Sequence, residues 1–178
     1  MAQISKRVRE AVILRLADAT DGLNARFAAI ASAYGINDPS KYSIDFATGS
    51  KQFFQGFLGP DDIESTTPLK YPLVCLYSAG SSNQNLQKFT RFSGVVTIGL
   101  DIHVTWRKSS AMQSFEDLGD AFEDSVIGLL NDPTWAASYG APIAYNGEIS
   151  FQKTPLVLEG ENWRQSLLFR LIFQVDTN

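Results

Sequence analysis

Residues 95–106 read VVTIGLDIHVTW. Val96, Ile98, Leu100, Ile102, Val104 and Trp106 fall on one side of an extended chain, and Thr97, Gly99, Asp101, His103, Thr105 and Arg107 on the other. Strict alternation of this kind belongs to an antiparallel strand in a sheet covered on one side. The strand is expected to open near Phe89. The last strand, Asn162 to Val175 (NWRQSLLFRLIFQV), repeats the pattern, with Trp163, Gln165, Leu167, Phe169, Leu171, Phe173 and Val175 sharing a face. Its other face, Arg164, Ser166, Leu168, Arg170, Ile172 and Gln174, is mixed. That face is more apolar than solvent alone requires, so the first helix or a neighbouring subunit is expected to cover it.

Around these strands the chain reads helix, irregular arm, two strands, helix, then two or three strands. Within residues 4–34, Ile4, Val8, Ala11 and Val12 share one helical face. Leu23, Phe27, Ile30 and Tyr34 form a second stripe. Thr20-Asp21-Gly22 marks a bend or split between them, and Gly35 a stop. Residues 36–72 form an arm broken by Pro39, Pro60, Pro68 and Pro72, with Tyr42 to Ala47 as a candidate short strand. Leu73 to Ser78 reads as a short apolar strand, and Ala79 to Lys88 as a hairpin loop. A second helix starts near Ser110, which with Gln113 fits a capping box. Its apolar face is Phe115, Leu118, Phe122, Val126 and Leu129, and Asn131-Asp132-Pro133 ends it. Asn146-Gly147 signals a type I′ hairpin, and Glu159 to Asn162 a further turn. The expected fold is α+β: one domain over 1–178, an antiparallel β-sheet packed by an N-terminal helix and a second helix between strands.

A chain of 178 residues buries roughly 70% of its unfolded surface, enough for a core without staples. Its net charge of −4 argues against a general nucleic-acid binder, which needs a basic surface to displace counterions. It does not argue against a protein that lets nucleic acid pass. The single cysteine, Cys75, sits in an apolar run and is expected to be buried and inert. No stretch approaches the ~18 apolar residues of a membrane span, and no secretory leader is evident. An intracellular protein without a membrane anchor is expected.

The one histidine raises a catalytic question. Asp101 and His103 lie about 6.5–7 Å apart at their α-carbons on one strand face, close enough for a carboxylate to orient an imidazole as in a hydrolase. No G-x-S-x-G supplies a nucleophile. The competing reading is a wet strand face or a subunit contact, which would make assembly vary near pH 6–7. One histidine and one cysteine cannot furnish a structural zinc site. Glu116, Asp117, Asp120, Glu123 and Asp124 cluster on the second helix. They form a solvated face, line a passage that must not hold DNA, or meet a basic partner. Phosphate-binding glycine loops are missing from the sequence. We therefore expect no catalytic residues, no cofactor and no metal. Phe53, Phe54 and Phe57 either tuck onto the arm's own core, bind a partner, or join Trp163 in lining a pocket for a small molecule or peptide.

The order of elements carries a resemblance. An N-terminal amphipathic helix, a long strand ending in DIHVTW, the helix SFEDLGDAFEDSVIGLL and a closing strand ENWRQSLLFRLIFQV together resemble the tail-terminator and related neck proteins of tailed bacteriophages. The resemblance covers residues 73–175 best and rests on pattern, not on a diagnostic motif. It implies an α+β subunit that assembles into a ring, usually a hexamer. The ring caps the tail tube and docks onto the head, and DNA passes through it without specific binding. The implied partners are the tail tube protein and a head-completion or connector protein. The implied location is the virion, after synthesis in the host cytoplasm. The 36–72 arm is longer than a compact terminator subunit requires, which leaves another neck role open. Heterologous ring contacts need two different surfaces. Candidates are Phe53, Phe54 and Phe57 on the arm and Arg164, Leu168, Arg170 and Ile172 on the last strand. Glu116, Asp120 and Glu123 are the candidate acidic lumen or partner face. The alternative from another class is a small hydrolase using His103 and Asp101.

Overall fold

A computed structural model describes residues 4–59, 63, 69–83, 92–107, 112–130 and 143–176. Helix α1 spans Ile4–Leu16 and α2 spans Leu23–Ile30. The break between them falls where the sequence places it. The Asp18 carboxylate accepts the Thr20 and Asp21 N–H groups at 2.8 and 2.9 Å, and the Gly22 N–H bonds the Asp18 carbonyl at 2.9 Å. A side chain at Gly22 would bring its Cβ to 2.2 Å from that same carbonyl, so the turn closes only around glycine. A 3₁₀ turn, Ala31–Tyr34, extends α2 to Gly35, whose φ of 67° ends it.

The sheet contains β1 (Phe53–Phe54), β2 (Leu73–Asn83), β3 (Ser93–Arg107), β4 (Ile143–Lys153), β5 (Val157–Glu159) and β6 (Asn162–Asp176). Helix α3, Met112–Leu130, lies between β3 and β4 in sequence. The strand order is β1-β2-β3-β6-β4, with β5 also on β6. All pairs are antiparallel except β1 with β2. The long central strands β3 and β6 run in register from Ser93 opposite Asp176 to Arg107 opposite Asn162.

Helices α1, α2 and α3 pack on one face of this sheet. Val8, Val12 and Leu16 of α1, Leu23 and Phe27 of α2, and the predicted stripe of α3 close over Val96 to Val104 and Leu167 to Val175. The rings of Phe27 and Phe122 stack at 4.5 Å, joining α2 to α3. Burial of these side chains, at roughly 25 cal/mol per Å² of apolar surface, supplies the main driving force. The α+β expectation is met.

Several local readings are corrected. Tyr42–Ala47 makes no strand: Pro39–Tyr42 is a 3₁₀ turn, and the chain after it is held by side-chain amides. Asn24 brackets Ile44, donating to its carbonyl at 2.8 Å and accepting its N–H at 2.9 Å. Buried Gln52 bonds the carbonyls of Ser43 and Pro72 and accepts the Asp45 N–H at 3.3 Å. These bonds do the work of a neighbouring strand. The first half of the polar tract expected to be a hairpin loop, residues 79–83, instead continues β2, with a bulge between Ser78 and Gly80, and residues 84–88 of that loop lie outside the described residues. Asn146-Gly147 is no hairpin. It lies inside β4, at an irregularity between Tyr145 and Ile149, because pairing with β6 on both sides overrides the local turn preference. The turn falls at Glu159–Asn162 as expected, with Gly160 at a φ of 58°. Phe89 at the expected start of β3, the Ser110–Gln113 capping box and the Asn131-Asp132-Pro133 stop lie outside the described residues or side chains.

Candidate functional site on the second face of the sheet

Alternation places Asp101 and His103 opposite the helices, where the sequence suggests a wet surface. The structure corrects this. Asp101 is 3% exposed and His103 5%. Within the chain the cover comes from its own arm and not from α1. Its Leu58 and Ile63 pack with Phe54, Leu69 and Tyr71 over Leu73 and Cys75, making a second, smaller core. Cys75 is fully buried there, as expected, and burial pushes its thiol up to about 12.

The arm leaves a cleft of about 190 Å³ beside it. Phe57, Leu58, Ile63 and Leu168 form apolar walls, and Asp101, His103, Ser166 and Arg170 supply polar atoms. Drug-sized ligand pockets run to ~300 Å³ and more, so this one has room for about one side chain.

The Asp101–His103 dyad of the alternative hydrolase reading does not form. Asp101 accepts from the Tyr77 hydroxyl at 2.9 Å and from the Arg170 guanidinium at 2.8 Å. Tyr77 reaches it by lying over Gly99, its cross-strand neighbour. A Cβ at Gly99 would sit 2.5 Å from the ring. Arg170 also stacks over the Tyr77 ring, 5.4 Å from its centre. Asp101 is thus the hub of a link between β2, β3 and β6.

His103 turns instead to Ser166, its neighbour on β6, with 2.6 Å between Nδ1 and Oγ. Its Nε2 finds no hydrogen-bond partner among the described residues. Burial holds its pKa down at about 4, the Arg164 charge adds to this, and Asp101 opposes it only in part. A serine beside an imidazole is the beginning of a nucleophile. Here, however, the imidazole is a weak base with no carboxylate behind it, a poor match to proton abstraction near neutral pH.

The other candidate residues scatter. Phe53 is buried in the main core against Phe46 and offers no outer surface. Phe54 belongs to the smaller core. Phe57 is 60% exposed, its ring edge-on to Tyr77 at 5.2 Å. Trp163 shares the alternation of the core-facing set and does not line the cleft with Phe57, so that pocket is not assembled. Arg164 is buried in an ion pair with Glu159 at 2.6 Å. Ile172 is half-buried opposite Thr97. Glu116 and Asp120 both hold Lys153 of β4, Glu116 at 3.1 Å. Burial opposes the Lys153 charge, but the Asp120 and Glu116 carboxylates raise its pKa overall. Partial burial raises that of Glu123.

Sequence reasoning missed Tyr77, Ser166 and Gln52. The mid-strand glycine at 99 is the one local signal that a ring passes close by. Among the described residues no group of three or more metal-ligating side chains comes together, and no helix is long and apolar enough to cross a membrane. Comparison with protein-family models and with curated proteins finds no match for this chain.

Proposed function

We propose that this chain is a structural virion protein of a tailed bacteriophage, a tail-terminator-type subunit. In this reading it closes into a ring on the tail tube and presents the surface that docks onto the head. The observation that carries the proposal is that the sheet ends in two unlike edges. One edge is β4 with β5, where Val157 is 48% and Leu158 43% exposed. The other is β2 beyond Cys75: among the described residues no strand pairs with its outer side from Leu76 to Asn83. That edge carries no charged residue and no proline, the usual guards against strand addition. Unlike edges join head to tail, and head-to-tail contacts close into rings when the rotation permits.

The polar groups of the second face support the same reading. Asp101, Tyr77 and Arg170 tie three strands together, as expected of a rigid building block. A head-completion or connector role is the nearest neighbour of this proposal, separated from it by which virion component binds the ring. Light scattering and electron microscopy of the purified chain, alone and with tail tube protein, test the proposal. A ring with a central hole that caps tubes is expected. A strict monomer that ignores tubes would overturn it.

A further inference from the structure

The helix layer is electrically lopsided. Helix α1 lies over β2 and β3, while α3 reaches β4 at the opposite side of the sheet. Helix α1 carries Lys6, Arg7, Arg9 and Arg15 against the single acid Glu10. Arg15 is used internally, bonding Asp21 and the Leu129 carbonyl. Lys6, Arg7 and Glu10 face solvent, Lys6 and Glu10 as an exposed pair 3.7 Å apart, and with them Leu14, at 68% the most exposed large apolar side chain described. Helix α3 from Phe115 onward has five acids and no basic residue. Glu116 and Asp120 lie on the side facing Lys153 of β4, and Glu123 also feels its charge. Three carboxylates around one ammonium leave that flank negative. A basic flank with an apolar knob therefore stands on the β2 side, and an acidic flank on the β4 side.

We infer that a second copy of this chain covers the outer face of α1, and that it does so with its α3 flank. Lys6 and Arg7 of one copy face Glu116, Asp120 and Glu123 of the next, and Leu14 anchors the apolar centre of the contact. The argument is charge complementarity between two flanks on opposite sides of one subunit. Pairing within a copy, Lys6 with Glu10 and Lys153 with Glu116 and Asp120, leaves each flank with a net charge, and the two net charges meet only between copies, as they do repeatedly around a ring. This contact rests on the ring reading and specifies its interface. Opposite charges at the rim set register and orientation and exclude wrong partners. They are screened once the Debye length falls from about 10 Å at 0.1 M salt to about 3 Å at 1 M.

A charge swap tests it. Lys6→Glu with Arg7→Glu gives a subunit acidic on both flanks. Glu116→Lys with Glu123→Lys gives one basic on both. Circular dichroism shows whether each keeps the wild-type fold. Native mass spectrometry then reads assembly of the wild type, each variant, and an equimolar mixture. Each variant alone should assemble about tenfold or more weakly than wild type, and the mixture should recover assembly with both masses in one particle. Variants that assemble like wild type, or a mixture that fails to recover, would overturn the interface while leaving the ring reading intact. A wild-type chain that stays monomeric removes both.

Discussion

His103 makes the sharpest quantitative prediction. It is 5% exposed beneath the arm, with one partner at Nδ1 and none at Nε2 among the described residues. Its ordinary pKa of 6.5 falls to about 4 in the fold, chiefly through burial. Between those values the unfolded chain binds a proton that the folded chain refuses, so stability must fall as pH falls. The contribution is fully present above pH 6.5, declines from there to about 4, and is level below that. At about 1.4 kcal/mol per tenfold change in proton affinity, the whole window is worth about 3 kcal/mol, and the part between pH 6.5 and 5 about 2 kcal/mol. Ordinary carboxylates remain mostly ionised at pH 5, and Glu123, whose pKa burial raises, is common to wild type and His103→Gln, so the difference between the two isolates the histidine. Urea denaturation at fixed protein concentration, at half-unit steps from pH 7.5 to 5, measures it. Wild type should lose about 2 kcal/mol over that range, and His103→Gln, whatever its baseline, should lose almost none. Equal slopes in the two proteins would refute the reasoning.

Three further outcomes follow from the packing. Gly22→Ala forces a Cβ against the Asp18 and Leu16 carbonyls and should cost about 2 kcal/mol, read as a fall in melting temperature by circular dichroism; an unchanged midpoint would mean the α1–α2 turn is looser than described. Gln52→Ala leaves the carbonyls of Ser43 and Pro72 short of a donor. It should destabilise by about 2 kcal/mol and speed the reaction of buried Cys75 with 4,4′-dithiodipyridine, because the arm covering that thiol is released; unaltered thiol kinetics would show that Gln52 does not hold the arm. Ser166→Ala should shift stability by only about 1 kcal/mol, and neither it nor wild type should turn over activated esters. Wild-type turnover abolished by the substitution would favour a hydrolase built on Ser166 and His103.

What the linear sequence determined is whatever one segment decides by its own period. The alternation of β3 and β6 set which side chains enter the core, and Leu167 to Val175 lie there as read. The stripes of α1, α2 and α3 did the same for the helices, and Gly22 and Gly35 marked their ends. A strand's period, however, says which residues share its second face and nothing about what covers that face. Here the cover comes from an arm 40 or so residues upstream, held by Asn24 and Gln52 through bonds to backbone that no periodicity reports. Asp101 finds its partners 24 and 69 residues away, and His103 finds Ser166 63 residues away. Those distances in sequence collapse only when β2, β3 and β6 are laid in register. The Asn146-Gly147 reading failed for the same reason, since a local turn preference lost to pairing along β6. The pair that first suggested chemistry, Asp101 and His103, is separated by tertiary structure into two different bonds. Asp101 ties strands together, and His103 stays neutral because the arm excludes water from it.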